Sequence, residues 1–234
     1  MNDLSSKDFK LSIIVPVFNE KATIEQILKE IIGVPFNKEI IVIDDGSTDG
    51  SREFLQNFHH PDCRIFYHQR NRGKGAAVRT GLENFTGDVF IIQDADLEYP
   101  PAQYPQLLDP IIRGKADVVY GTRFIGVHRV FMFWHYIANR FLTLLTNLLY
   151  NTMLTDMETC YKVVTRKAFE GITIRSNRFN FEPELTAKLF KKKHLRIVEM
   201  PIEYFGRTYE EGKKIGWKDG LEALWTLLKY RFTD

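Results

Sequence analysis

Through the first 120 residues, short runs dominated by isoleucine and valine recur, and between them the apolar positions shift to helical spacing. Leu11–Phe18, Glu39–Ile43, Arg64–His68, Asp88–Ile92 and Asp117–Tyr120 read as strands. Ala22–Ile32, a stretch near Asp49–Phe58 and Gly75–Asn84 read as the helices between them. Strands nearly continuous in Ile and Val have no polar face to offer water. A sheet built from them is therefore covered on both sides, and the helical crossovers make it parallel. In such α/β sheets ligands lie beyond the carboxyl ends of the strands. That geometry selects three loops: Asn19–Glu20, Asp44–Asp49 and Asp94–Glu98.

The second half is less regular. A long apolar helix is expected over Arg129–Leu149, a short strand over Tyr161–Val164 and a helix over Glu184–Lys192. Strands around Leu195–Met200 and Glu203–Phe205 follow, then a polar loop, Gly206–Lys214, and a last helix from Trp217. No internal repeat, low-complexity tract or linker divides the 234 residues, so one domain over 1–234 is expected. A net charge of +2 argues against general nucleic-acid binding, which needs an excess of cations to neutralise phosphates. Cys63 and Cys160 have neither metal-ligand spacing nor partners for a disulfide framework, which fits a reducing, cytosolic setting. Met1–Lys10 lacks the layout of a signal peptide. Val130–Tyr150 is broken by His135, Asn139, Arg140 and Asn147, so no run approaches the roughly 20 apolar residues of a membrane span. A soluble or peripheral protein is expected.

Three motifs carry the chemistry. Asp94-Ala95-Asp96 follows an apolar strand, where paired carboxylates suit a hard cation bridging two phosphates, and Glu98 adds a third oxygen donor. Taken alone, such a pair more often caps a turn or faces solvent. Asp44-Asp45-Gly46-Ser47-Thr48-Asp49 ends the second strand in the same way, with carboxylates able to accept hydrogen bonds from a base or ribose. Ahead of it, Pro16 stiffens the exit of the first strand, Phe18 offers a stacking surface and Glu20 an acceptor. Asn71-Arg72-Gly73-Lys74-Gly75-Ala76-Ala77 opens a helix with glycines and cations. It suggests phosphate binding at a helix N-terminus, although its spacing is not that of a P-loop and Gly75 equally suits close packing.

In this order P-V-F-N-E, D-D-G-S-T-D, N-R-G-K-G-A-A, D-A-D-L-E-Y-P and G-T-R resemble the family 2 glycosyltransferases of GT-A fold. Within that family the resemblance is to the dolichyl-phosphate mannosyltransferase and dolichyl-phosphate glucosyltransferase branch, and it spans nearly the whole chain. It implies that Pro16, Phe18, Glu20, Asp44 and Asp45 line the base and ribose, with Phe18 in place of the more usual tyrosine. Lys74, Asp94, Ala95 and Asp96 would face the nucleotide sugar, and Asp94, Asp96 and Glu98 would hold Mg2+ or Mn2+. Arg123 and Arg129 would meet the acceptor phosphate, with Arg207 and Lys213 closing over donor and acceptor phosphates. Residues of about 1–122 would form the nucleotide-sugar half and about 123–234 the acceptor half.

Phe133, Trp134, Phe141, Leu142, Leu145 and Leu149 give the long helix a wide apolar face, and Leu221, Leu224, Trp225 and Leu228 do the same for the last. A buried core and a bilayer surface both fit such faces. Together they favour a lipid-borne acceptor over a soluble one, and the resemblance implies a polyprenyl phosphate at the cytoplasmic face of a membrane, reached by peripheral contact or with a membrane-protein partner. Many relatives carry C-terminal membrane helices, and none is expected in this sequence. A phosphomonoester is largely dianionic near neutrality and attacks without a general base, inverting the anomeric centre. The donor would be GDP-mannose or UDP-glucose. The expected catalytic set is Asp96, Arg123, Asp156, Arg207 and Lys213, with Asp156 orienting sugar or lid. Two alternatives remain: a family 2 enzyme acting on a hydroxyl with Asp156 or Glu158 as base, and a nucleotide-binding module without turnover.

Overall fold

The computed structural model describes residues 9–130, 132–208, 210 and 216–233. Its centre is a seven-stranded sheet. The strands are β1 (Leu11–Val17), β2 (Lys38–Asp44), β3 (Cys63–Tyr67), β4 (Val89–Ile92), β5 (Val118–Thr122), β6 (Lys162–Thr165) and β7 (Ile197–Pro201). They lie in the order β3-β2-β1-β4-β6-β5-β7. All neighbours are parallel except β6, which runs against both β4 and β5. Ile13 and Ile14 of β1, Ile40–Ile43 of β2 and all four residues of β4 are buried, as strands covered on both faces require.

Helices α1 (Ile24–Ile32), α2 (Ser51–Asn57), α3 (Lys74–Asn84) and α4 (Tyr104–Ile112) make the crossovers of the first half. In α1, Ile24, Ile27, Leu28 and Ile31 form the buried stripe at i, i+3, i+4 and i+7. A Cβ on Gly81 of α3 would collide with Ile14 and Ile43, so this glycine sets how closely the helix approaches the sheet. The second half contributes α5 (Phe133–Tyr150), α6 (Arg166–Phe169), α7 (Phe181–Lys191) and α8 (Trp217–Phe232), with α5 and α7 both packed on α8.

Four differences from the sequence reading have physical causes. Helix α4 goes unread because it contains Pro105 and Pro110 and follows Pro100 and Pro101. The carbonyl of Pro110 is used instead by the amides of Lys115 and Ala116. The helix assigned to Arg129–Leu149 begins only at Phe133, because Arg129 donates its amide to the Tyr204 carbonyl. Glu203–Phe205 is not a strand: Tyr204 makes a single bridge to His128. Helix α7 starts at Phe181, ahead of the expected Glu184, and so includes Glu182 and Pro183 in its first turn.

Candidate functional site

The sheet's order reverses at β1, which has β2 on one side and β4 on the other. The crevice beyond the carboxyl ends of β1 and β4 is where such sheets bind ligands. A cavity of about 1080 Å3 opens there. It gathers Pro16, Phe18, Glu20, Asp45, Lys74, Asp94, Ala95, Asp96, Glu98, Arg123 and Arg207 on its walls. Asp44, Arg129 and Asp156 are not among its lining residues. Lys213 lies outside the described residues, as do Lys214 and Phe131.

The loop after β4 carries the densest charge. Lys74 Nζ is 2.6 Å from Asp94 Oδ1. Asp96 Oδ1 accepts the Glu98 amide at 3.1 Å, which curls the loop, and its Oδ2 lies 3.3 Å from Arg207 Nη2. Leu97, between them, has a left-handed φ of 63°, unusual for a branched side chain and a form of strain typical of functional loops. Arg207 also pairs with Glu20 at 3.1 and 3.2 Å. Burial pushes the Asp96 carboxyl up to about 8, the charges of Asp94 and Glu98 add to the rise, and Arg207 opposes it. Beside it the Lys74 ammonium is held protonated: burial works against its charge, and Asp94, Cys160 and Glu182 together outweigh burial.

This oxygen set suits a hard divalent cation, because Arg207 and Lys74 leave the four clustered carboxylates of Glu20, Asp94, Asp96 and Glu98 under-neutralised. The fit belongs to Asp94 and Asp96. Glu98 has its Oε2 on the Tyr204 hydroxyl at 2.7 Å and its Oε1 on the Arg207 amide at 2.6 Å. Among the described residues no three His, Cys, Asp or Glu side chains come together as a ready-made metal cage.

The aspartates after β2 divide their work. Asp44 is fully buried and binds Arg52 Nε at 2.7 Å and the Ser47 amide at 3.2 Å, so it braces its own loop outside the cavity. Asp45 lines the cavity while accepting from the amides of Arg72 and Gly73 and from His68 Nδ1 at 2.6 Å. It thereby caps the approach to α3. The Ala76 amide bonds the Asn177 carbonyl, and a Cβ on Gly75 would meet the Ser176 carbonyl at 2.5 Å. Here close packing, not an open phosphate cradle, accounts for the glycines.

Arg123, just past β5, is buried and grips Asp156 in a fork, Nε to Oδ2 and Nη2 to Oδ1 at 2.7 Å each. The Arg123 amide reaches the same carboxylate at 3.1 Å. Both oxygens of Asp156 are thus committed, and its role is to hold Arg123 against the cavity. Arg129 instead ties its loop to the 204–206 segment, with Nη1 3.4 Å from the Gly206 carbonyl.

The sequence reading missed part of the cavity. Cys160, Glu182, Tyr99, Tyr204 and the 177–179 segment all line it, beside Glu158. The buried Lys162 ammonium bonds Glu182 Oε2, while Glu158 Oε1, Thr159 Oγ1 and Glu182 Oε1 have no hydrogen-bond partner among the described residues. Burial pushes the Glu158 carboxyl up to about 7, against the attraction of Lys162. The one local sign of Glu182 is its place beside a proline at a helix start, a position that capping alone explains.

Comparison with known proteins decides the family. Residues 12–173 match the model of glycosyl transferase family 2. The chain belongs to the family 2 glycosyltransferases. A dolichol-phosphate mannosyltransferase of Pyrococcus furiosus is 26% identical over 214 residues, covering 88% of this chain and 60% of that protein. An undecaprenyl-phosphate 4-deoxy-4-formamido-L-arabinose transferase of Edwardsiella ictaluri is 29% identical over 220 residues, 91% of this chain and 65% of the other. The chain therefore spans less than two thirds of the length of either relative. Glucosyl-3-phosphoglycerate synthase of Mycobacterium tuberculosis, solved with Mn2+, UDP and phosphoglyceric acid, superposes with a TM-score of 0.74. That match has 19% identity over 97% of this chain and 80% of the synthase. The fold of this family 2 chain is accordingly GT-A, as its motifs imply.

Proposed function

We propose that the chain transfers a hexose, with inversion, from GDP-mannose or UDP-glucose to a polyprenyl phosphate. One observation carries the reading: the carboxylate-lined donor cavity shares its wall with α5 and α8, whose outer faces are apolar and exposed. Trp134, Leu142 and Ala223 line the cavity. On the outer faces, Leu148 is 73% exposed, Trp225 67% and Phe133 64%. Exposed aromatic and aliphatic side chains on amphipathic helices suit a bilayer surface, where a lipid phosphate is presented. No helix among the described residues is long and apolar enough to cross a membrane, so the contact proposed is peripheral, at a cytoplasmic face. Both curated relatives are named for polyprenyl phosphates, which supports the acceptor class. In this reading about 1–122 serves the donor and about 123–234 the acceptor, and a membrane-protein partner is compatible with the exposed faces.

Asp94 and Asp96 would hold Mg2+ or Mn2+, which when bound neutralises charge growing on the departing nucleoside diphosphate. Phe18 and Asp45 would place the nucleoside. Lys74 and Arg207 would bind the diphosphate oxygens, with Arg207 exchanging its carboxylate partners for them. Arg123, fixed by Asp156, would orient the acceptor phosphate, whose own second ionisation near pH 6 supplies the nucleophile. A second reading, a hydroxyl acceptor, is favoured by Glu158, a cavity-lining carboxyl near neutrality that could take a proton. Labelled nucleotide sugars incubated with polyprenyl phosphate and Mn2+ separate the two. Label extracted into organic solvent supports the lipid acceptor, and its absence with every donor rejects it.

A further inference from the structure

Beyond Lys74 and Asp94 the cavity ends in a floor that the reading above leaves without a task. Glu158, Cys160 and Glu182 line it. Glu182 is 4% exposed, and its Oε2 is held by the buried Lys162 ammonium. Its Oε1, and the Oε1 of Glu158, are buried acceptors without partners among the described residues. An orphaned buried acceptor is costly, more so when charged, and two on one cavity wall point to donors that arrive with a ligand. The floor adjoins the donor grip, since the charge of Asp94 acts on Glu182 and that of Glu182 on Lys74. With Phe18 and Asp45 at the nucleoside end and Lys74 with Asp94 at the diphosphate, the group reaching this floor is the transferred sugar.

We infer that Glu158 and Glu182 form the sugar-selecting subsite, each accepting a hydrogen bond from a hydroxyl of a neutral hexose. This rests on the nucleotide-sugar reading and deepens it. Acceptor oxygens require donors, so a fully hydroxylated hexose satisfies both. A deoxy sugar leaves one of them orphaned. A uronic acid brings a carboxylate against two others and is repelled. The cations whose charge reaches the floor are already engaged, Lys162 by Glu182, Lys74 by Asp94 and Arg123 by Asp156, so none of the three is spare for an anionic sugar. Glu158 on this account is a binding group and not the base of the second reading.

The test compares wild type, Glu158→Ala and Glu182→Gln by calorimetry in Mn2+, using UDP, UDP-glucose, UDP-glucuronate, GDP and GDP-mannose as probes. The quantity read is the ratio of nucleotide-sugar to nucleotide affinity within each protein, which cancels any loss of folded fraction. Each substitution should cut that ratio about tenfold for the preferred hexose. Discrimination against UDP-glucuronate should narrow in both. Unchanged ratios in both variants, with wild type still transferring sugar, overturn the subsite alone. So does a Glu158→Ala enzyme that loses turnover but keeps its ratio, which would make Glu158 the base. A wild type that favours no nucleotide sugar over its nucleotide and transfers none overturns the functional reading along with it.

Discussion

Two buried carboxylate clusters sit at opposite edges of the same sheet and titrate in opposite directions. At the amino edge Glu39 accepts from the Ser12 hydroxyl at 2.6 Å, the amides of Thr86 and Gly87, the Thr86 hydroxyl and Arg64. Burial alone would raise its carboxyl, yet these donors, with Lys10 nearby, pull it down to about 2. At the carboxyl edge Asp96 and Glu158 stand at about 8 and 7. Burial acts upward at both edges, and the outcome is decided by the donors supplied at one edge and by the neighbouring carboxylates at the other. A carboxylate saturated by its own chain is a fastener. One left short of donors is held ready for a ligand.

The largest effect should come from removing a carboxylate at the ligand edge. Asp96→Asn should lower sugar transfer by roughly a hundredfold or more, as loss of a charge-stabilising group does. Its melting temperature should hold or rise, because a repelled charge is gone. A fall as large as that of a Glu39 variant would erase the distinction between the edges.

Glu39→Ala should cost about 3 kcal/mol at pH 7, the worth of a shift from 4.5 to about 2, and lower the melting temperature by roughly 10 °C. The sign follows from a depressed pKa. The contribution is complete above the unfolded value and vanishes as pH falls from about 4.5 through about 2, so wild type and variant should converge in acid.

Asp96 obeys the reverse rule. Its raised pKa means the folded protein holds an extra proton between its ordinary value and about 8, so stability should fall as pH climbs through that window. Mn2+ should therefore raise the melting temperature by a few degrees at pH 8 and by less at pH 5, read by calorimetry. Equal gains at both values would separate the cation from this carboxylate. The smallest change is Ser12→Ala, which removes one donor to Glu39 and one acceptor for the Gly87 amide. It should cost about 1–2 kcal/mol in denaturant unfolding without touching transfer.

Much of this was readable from local pattern. The Ile/Val runs place β1, β2, β4 and β5, and the rule about strand ends places Asp45, Asp94 and Asp96 on the cavity. What escaped depends on contacts remote in sequence. Asp44 and Asp45 are adjacent and chemically alike, and only Arg52 on one side and the Arg72–Gly73 amides on the other send them to different tasks. Arg207 reads as a phosphate-directed cation, but its grip on Glu20, 187 residues away, has no local signature. Glu182 gains its meaning from Lys162 and from the cavity, neither of which a helix-start pattern reveals.

The reversed strand β6 has a consequence for how this architecture can vary. In a wholly parallel sheet each strand delivers only its end to the ligand rim. Because β6 runs backwards beside β5, its beginning arrives at the rim where β5 finishes, and Arg123 meets Asp156 there. Everything between, α5 included, is a hairpin loop grown to the length of a subdomain. Its two feet are stapled by one ion pair while its body is released from the register of the sheet. Such a loop can be lengthened, recut or given a new greasy surface without moving a strand, which on the proposed reading makes its body the natural place for acceptor choice to change.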